Sequence, residues 1–334
     1  MKKTSLPYVT LFSLLALALL LSIAIGSVFI SPADVWRGLI GQGVNETFKT
    51  ILWSIRLPRT VLIALVGAAL AGSGAAYQGL FRNPLADPYL IGVASGAGLG
   101  AVLAMSIQWP YTTLGLLSVP AAAFIASLLT VSMVYLFAQI GSQASMSNLI
   151  LAGVAVSSFT GALTSFLMLR SNSELHRAIS WLLGGVSLAS WPAILALIPY
   201  LALGLTVLVL SGHALNLLQF GEDQATQLGL DTRRAKIIII LAASLVTAAA
   251  VSFAGIIGFI GLIVPHVIRL LWGADYRRIL PLSLLGGASA LLLADVLARV
   301  VLAPQELPVG IVTALAGAPF FLWILRRAKS QGQS

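Results

Sequence analysis

The chain has no cysteine, and only 9% of its 334 residues are charged. The first absence removes disulfides, thiolate metal sites and cysteine nucleophiles together. The second lies far below the roughly 25% of charged residues in an ordinary soluble domain. With 59% hydrophobic residues and a mean hydropathy of +1.00, a soluble globule of this length could not cover its apolar surface. The chain therefore reads as an integral membrane protein, with lipid as its solvent. Other absences narrow the chemistry. No G-x-x-x-x-G-K-[ST] phosphate loop occurs, so ATP hydrolysis by that route is excluded. Without an H-E-x-x-H pair or paired mid-span carboxylates, an intramembrane metalloprotease or aspartyl protease has no site. An ion-coupled secondary transporter, the alternative reading, usually places acidic residues at mid-membrane, whereas the ten here fall in loops or near span ends.

What is present is basic. The net charge of +9 sits in short clusters between apolar runs, the pattern of topology signals and not of nucleic-acid binding. Lys2 and Lys3 precede an apolar run from about Tyr8 to Ile30, too long for a signal-peptide core, which reads as a first membrane helix. Ten candidate spans follow in all, near 8–30, 59–80, 90–107, 114–137, 149–169, 192–211, 236–254, 256–272, 280–301 and 308–326. The fold class is thus all-α, one polytopic domain over 1–334. An even number of spans puts both termini on one side. With that side cytoplasmic, the inner segments hold twelve basic residues and the outer ones seven, as the positive-inside rule prefers. Among the seven are Arg56, Arg59 and Arg299, more than topology requires.

The stretch from Arg56 to Gly92 concentrates the features of interest. Gly67, Ala71 and Ala75 recur at every fourth position, as do Ala68, Gly72 and Ala76, and Gly92, Gly96 and Gly100 repeat the device in the next span. Such faces let helices approach closely, so both bundle packing and a pore wall are compatible with them. Asn83-Pro84 and Asp87-Pro88 then break the helix, because each proline removes a donor and disfavours helix before itself. Asp295 and Arg299, four apart, fall on one face as an ion pair. His266 reads as a packing residue more than a ligand. The longest inner segment, 212–236, holds a short amphipathic helix between Gly221 and Gly229, with Ala225 and Leu228 on one face. The second and seventh spans begin alike, RTVLIALVGAALAGSGAA and RAKIIIILAASLVTAAAV, so spans 2–5 and 7–10 could form an inverted repeat.

Seven ordered blocks carry a resemblance: RLPRT, NPLADP, LILAGVAV, GEDQATQLGL, GFIGLIVPH, GASALLLADVLAR and ELPVGIVTALAGAPFF. Together, from about Ile30 to Arg327, they resemble the FecCD family, the permease subunits of type II ABC importers for ferric siderophores, haem and cobalamin. The resemblance implies ten helices in a homodimer around a central path in a bacterial cytoplasmic membrane. It also implies two cytoplasmic ATPase subunits, which carry the ATP and magnesium, and an extracytoplasmic substrate-binding protein. The permease itself holds no cofactor or metal. By similarity, Arg56, Arg59 and Arg299 dock the binding protein, while Asn83, Leu85, Met146 and Ser147 form two cytoplasmic gate turns. Gly221, Glu222, Asp223, Ala225, Leu228 and Gly229 belong to the coupling helix that fits a groove on the ATPase.

Overall fold

A computed structural model describes residues 5–26, 30–40, 46–107, 113–139, 146–170, 175–186 and 189–331. Among these, every regular element is a helix. The helices are α1 (Leu6–Ala24), α2 (Pro32–Leu39), α3 (Glu46–Thr50), α4 (Leu57–Leu80), α5 (Val93–Met105), α6 (Thr113–Ala138), α7 (Met146–Arg170) and α8 (Leu175–Leu182). They continue as α9 (Trp191–Leu210), α10 (Gly212–Leu218), α11 (Glu222–Gln227), α12 (Thr232–Ala254), α13 (Ile260–Trp272), α14 (Tyr276–Val300) and α15 (Val309–Gln331). Seven helical stretches are long and apolar enough to cross a membrane, and α5, α13 and α15 supply three shorter apolar helices. Those ten coincide in order with the ten spans expected from hydropathy.

Their limits differ for physical reasons. The first span stops at Ala24 although the apolar run continues, because hydropathy does not register where the backbone turns. The second begins earlier, since α3 runs through a wide π-helical turn, Ile51–Arg56, into α4. Pro58 sits at the start of α4, where it has no N–H to donate and its ring crowds the preceding turn. The backbone widens there, and the Leu57 N–H reaches back to the Leu52 carbonyl. Between the seventh and eighth spans the break is longer than one glycine: Gly255 and Phe259 both have positive φ, and helix resumes only at Ile260.

Helices α4, α12 and α14 are mostly buried, whereas α1, α6, α7 and α9 turn apolar side chains outward, as lipid allows. Close approach, rather than bulk, holds the centre together. A Cβ on Gly67 would collide with the Gly287 carbonyl of α14, and one on Gly287 with the Gly67 carbonyl. Gly74 meets the Gly261 backbone of α13 in the same way, and Gly100 the Ala122 carbonyl of α6. The small-residue faces of α4 and α5 are therefore packing faces.

A long span, a 13-residue helix and a second long span occur in that order twice, at the start of α4–α7 and of α12–α15. In each unit an irregular stretch follows the first long helix. The two stretches touch: the Tyr89 hydroxyl donates to the Ile257 carbonyl (2.9 Å) and accepts from the Ile257 N–H (3.2 Å). Their first spans are the second and the seventh, an odd offset of five, so in a chain that crosses the membrane at each span the units run in opposed directions.

Candidate functional sites at the two ends of the bundle

At one end, α1, α4, α14 and the turn after α14 meet around charge. The end of α1 leaves carbonyls without intrahelical donors. The Arg56 guanidinium donates to Ile23 O (2.7 Å), while Arg299 donates to Ile25 O (2.8 Å), Ser22 O (3.1 Å) and Ser22 Oγ (3.2 Å). Two cations thus cover the negative end of a helix dipole. Asp295, fully buried, lies between Arg299 Nε (3.0 Å) and Arg59, whose Nε and Nη2 both reach Oδ1 at 3.1 and 2.9 Å. The remaining Arg59 nitrogen, Nη1, donates to Glu306 on the exposed turn.

The three arginines assigned to docking are therefore brought together. They are not equivalent. Arg56 and Arg299 are buried, at 7% and 5% exposure, and bond to carbonyls of the chain itself. Arg59 retains 19% exposure of its side chain. The i, i+4 pair of Asp295 with Arg299 was legible from spacing, but the contribution of Arg59, 236 positions from Asp295, was not. Sequence reading also missed Glu306, which no local pattern marks.

At the opposite end lie the two turns assigned to gates and the short helix assigned to coupling. Asn83 is exposed and shapes its turn by accepting from the Leu85 N–H through Oδ1 (2.9 Å), with Arg82 at positive φ beside it. Met146 and Ser147 are the first residues of α7 and not a turn, a correction that follows from the helix starting at Met146. Met146 lines a cavity of about 260 Å³ with Tyr135, Gln139, Glu222, Arg233 and Lys236. Across it, Lys236 Nζ donates to Glu222 Oε2 (2.6 Å), tying α11 to α12.

Helix α11 starts after Gly221 (φ +106) and ends at Gly229 (φ +88). The Leu230 N–H closes on the Ala225 carbonyl (3.0 Å) and the Gly229 N–H on that of Thr226 (2.9 Å), a glycine-stopped helix end. Ala225 and Leu228 lie three positions apart along this helical turn, as expected, but differ in burial. Ala225 is fully buried while Leu228, beyond the last helical residue, is 61% exposed. Leu228 keeps near-helical dihedrals (φ −82°, ψ 8°) and lies about a turn beyond Ala225, past the covered part of that face. Glu222 and Asp223 are also exposed, as is Phe220 just before the helix.

Behind α11 a polar network joins four elements. Gln78 Nε2 donates to Leu262 O (2.9 Å), and Arg269 Nη2 donates to Gln78 Oε1 and to the Tyr276 hydroxyl, both at 2.9 Å. Asn216 of α10 donates to Asp275 Oδ1 (2.6 Å) and accepts from the Tyr276 N–H (2.7 Å). Burial opposes ionisation of Asp275, but hydrogen bonds from Asn216 and Arg277 outweigh it and hold the carboxyl below its usual range. Its contribution to stability is present at neutral pH and is lost as pH falls through that lowered value. Among the described residues, no group of three or more histidine, cysteine, aspartate or glutamate residues could hold a metal ion.

Comparison with known proteins bears on this geometry. The model of the FecCD transport family matches residues 14–327. The cobalamin import system permease protein BtuC of Halobacterium salinarum is 47% identical over 85% of this chain and 75% of its own length. The hemin transport system permease protein HmuU of Yersinia pestis is 41% identical over 94% of this chain and 95% of its own. A solved structure, an inward-facing conformation of a metal-chelate type ABC transporter, superposes with a TM-score of 0.80 at 33% identity, covering 96% of this chain and 98% of that one.

Proposed function

The chain belongs to the FecCD transport family, and from that membership we propose that it carries a ferric siderophore, haem or cobalamin into a bacterial cytoplasm. It is the permease subunit of a type II ABC importer, a class that works with ATPase and binding-protein partners. In the proposed assembly, two copies of this chain line a central path, both termini are cytoplasmic, and two ATPase subunits bind ATP and magnesium. The end bearing α11 faces them. The end bearing Arg59 faces the binding protein.

The observation that carries this reading is α11 itself. A six-residue helix held on the bundle by Ala225 and by the Glu222–Lys236 pair, yet presenting Asp223, Phe220 and Leu228 outward, is suited to transmit force from a second protein. Buried anchoring with exposed apolar tips is the usual form of an interface centre. The gate role of Asn83 and Leu85, and of Met146 and Ser147 at the start of α7, is proposed on their nearness to this end. Movement of α11 would reach Met146 through the cavity that both line with Lys236.

An ion-coupled carrier would need an available buried acid. Asp295 is fully buried and two guanidinium groups occupy it, while Asp87 lies on the turn after α4 and accepts from the Tyr89 N–H. To test the assignment, the chain is purified with its ATPase subunits, and Leu228→Glu is compared with the parent. Loss of the complex, or uncoupling of ATP hydrolysis from the binding protein, is expected for the variant. An intact, fully coupled Leu228→Glu complex would overturn the role of α11.

A further inference from the structure

Arg59 is a three-way junction. Its Nε and Nη2 point inward to the fully buried Asp295, and its Nη1 points outward to Glu306. Asp295 also receives Arg299, and Arg56 is buried beside them, so the cluster holds three cations around one buried carboxylate, which Arg59 and Arg299 share. Glu306 supplies the second negative charge. Unlike Asp295, it is 41% exposed, and it lies on a turn whose neighbours Val301 and Leu302 are exposed too. An ion pair at such exposure is weak, worth a few-fold in an equilibrium, and its outer half can be exchanged without unburying Asp295.

We propose that Glu306 is an internal stand-in for a carboxylate of the docking partner. It occupies the outward nitrogen of Arg59 in the free permease and yields it when the partner's acid arrives. The inference rests on the docking role of Arg59 proposed above. Exchange conserves charge, since Arg59 trades one carboxylate for another while Asp295 keeps its two guanidiniums. Docking strength is then the difference between two similar pairs, which keeps the complex reversible and favours a partner whose acid is better placed than Glu306. The released turn, with Val301 and Leu302, is free to meet the partner's surface.

The test measures the affinity of the substrate-loaded cognate binding protein for the full permease–ATPase complex in nanodiscs. Four forms are compared: parent, Glu306→Gln, Arg59→Gln and the double variant. Glu306→Gln is expected to tighten binding about two- to five-fold, the size of an exposed pair. Because the stand-in acts only through Arg59, the same change in the Arg59→Gln background is expected to do nothing. Unchanged or weaker binding of Glu306→Gln overturns the proposal. So does tightening that persists without Arg59, which would mark general repulsion of an acidic partner. If instead Arg59→Gln leaves affinity unchanged in the Glu306→Gln background, where no stand-in offsets the lost pair, the docking role fails, a result separate from failure of the stand-in. Glu306 is on the surface, and an unaltered melting temperature verifies that the variant folds.

Discussion

Asp295 and Glu306 show how one arginine can serve two purposes. Arg59 compensates a carboxylate that could not otherwise be buried, and it also presents a donor to the outside. Breaking a buried ion pair by removing one partner costs roughly 3–5 kcal/mol, because the charge left behind is uncompensated. Asp295→Asn leaves Arg299 buried with no carboxylate, and the end of α1 rests on Arg299. Thermal unfolding in detergent is therefore expected to fall by many degrees for Asp295→Asn and by little for Glu306→Gln. Equal stabilities would contradict the division between a structural and an exchangeable acid. This division was half legible in the sequence. The spacing of Asp295 and Arg299 predicted their pairing on one helical face. Nothing local linked either to Arg59, and no composition or spacing showed that Arg56 and Arg299 are turned toward the carbonyls of α1.

At the scale of elements, periodic small residues and prolines were informative because their effects are local. The four-residue repeats of α4 and α5 foretold close helix contacts, and the Gly67–Gly287 approach realises one of them backbone to backbone. Gly67→Leu is expected to force α4 and α14 apart, at a cost of at least the 1–3 kcal/mol typical of overpacking. The measurement is the fraction of monodisperse protein after extraction and its melting temperature; parent-like values would show that the contact is not essential. Spans were legible for the same reason, since hydropathy sums over neighbours. Their ends were less so. The π-helical turn before Pro58, the five-residue break at 255–259 and the short helices α2 and α8 lie where backbone geometry, not polarity, changes. Spacing placed Ala225 and Leu228 on one face, but spacing does not show how far the bundle covers that face, and Leu228 lies past the covered part. Gly229 was correctly marked as a boundary. Gly229→Ala places a Cβ at φ +88, a strain of about 1–2 kcal/mol. ATP hydrolysis by the assembled transporter is expected to become less responsive to the loaded binding protein; an unaltered response would remove Gly229 from the coupling path.

For the whole molecule, the two charged ends are connected by one rigid route. Helix α4 carries Arg59 in its first turn and Gln78 in its last, where Gln78 bonds Leu262 and Arg269 close to α10, while glycine contacts fix α4 to both α13 and α14. A partner arriving at one end and a motor at the other would thus act on the same buried helix. The most direct test is uptake into proteoliposomes holding this chain and its ATPase subunits, with the binding protein outside, loaded in turn with ferric siderophore, cobalamin or haem. One of these cargoes is expected to accumulate only with internal ATP and loaded binding protein, at a rate unchanged when ionophores collapse proton and sodium gradients. Uptake that proceeds without ATP and follows an ion gradient would contradict that expectation.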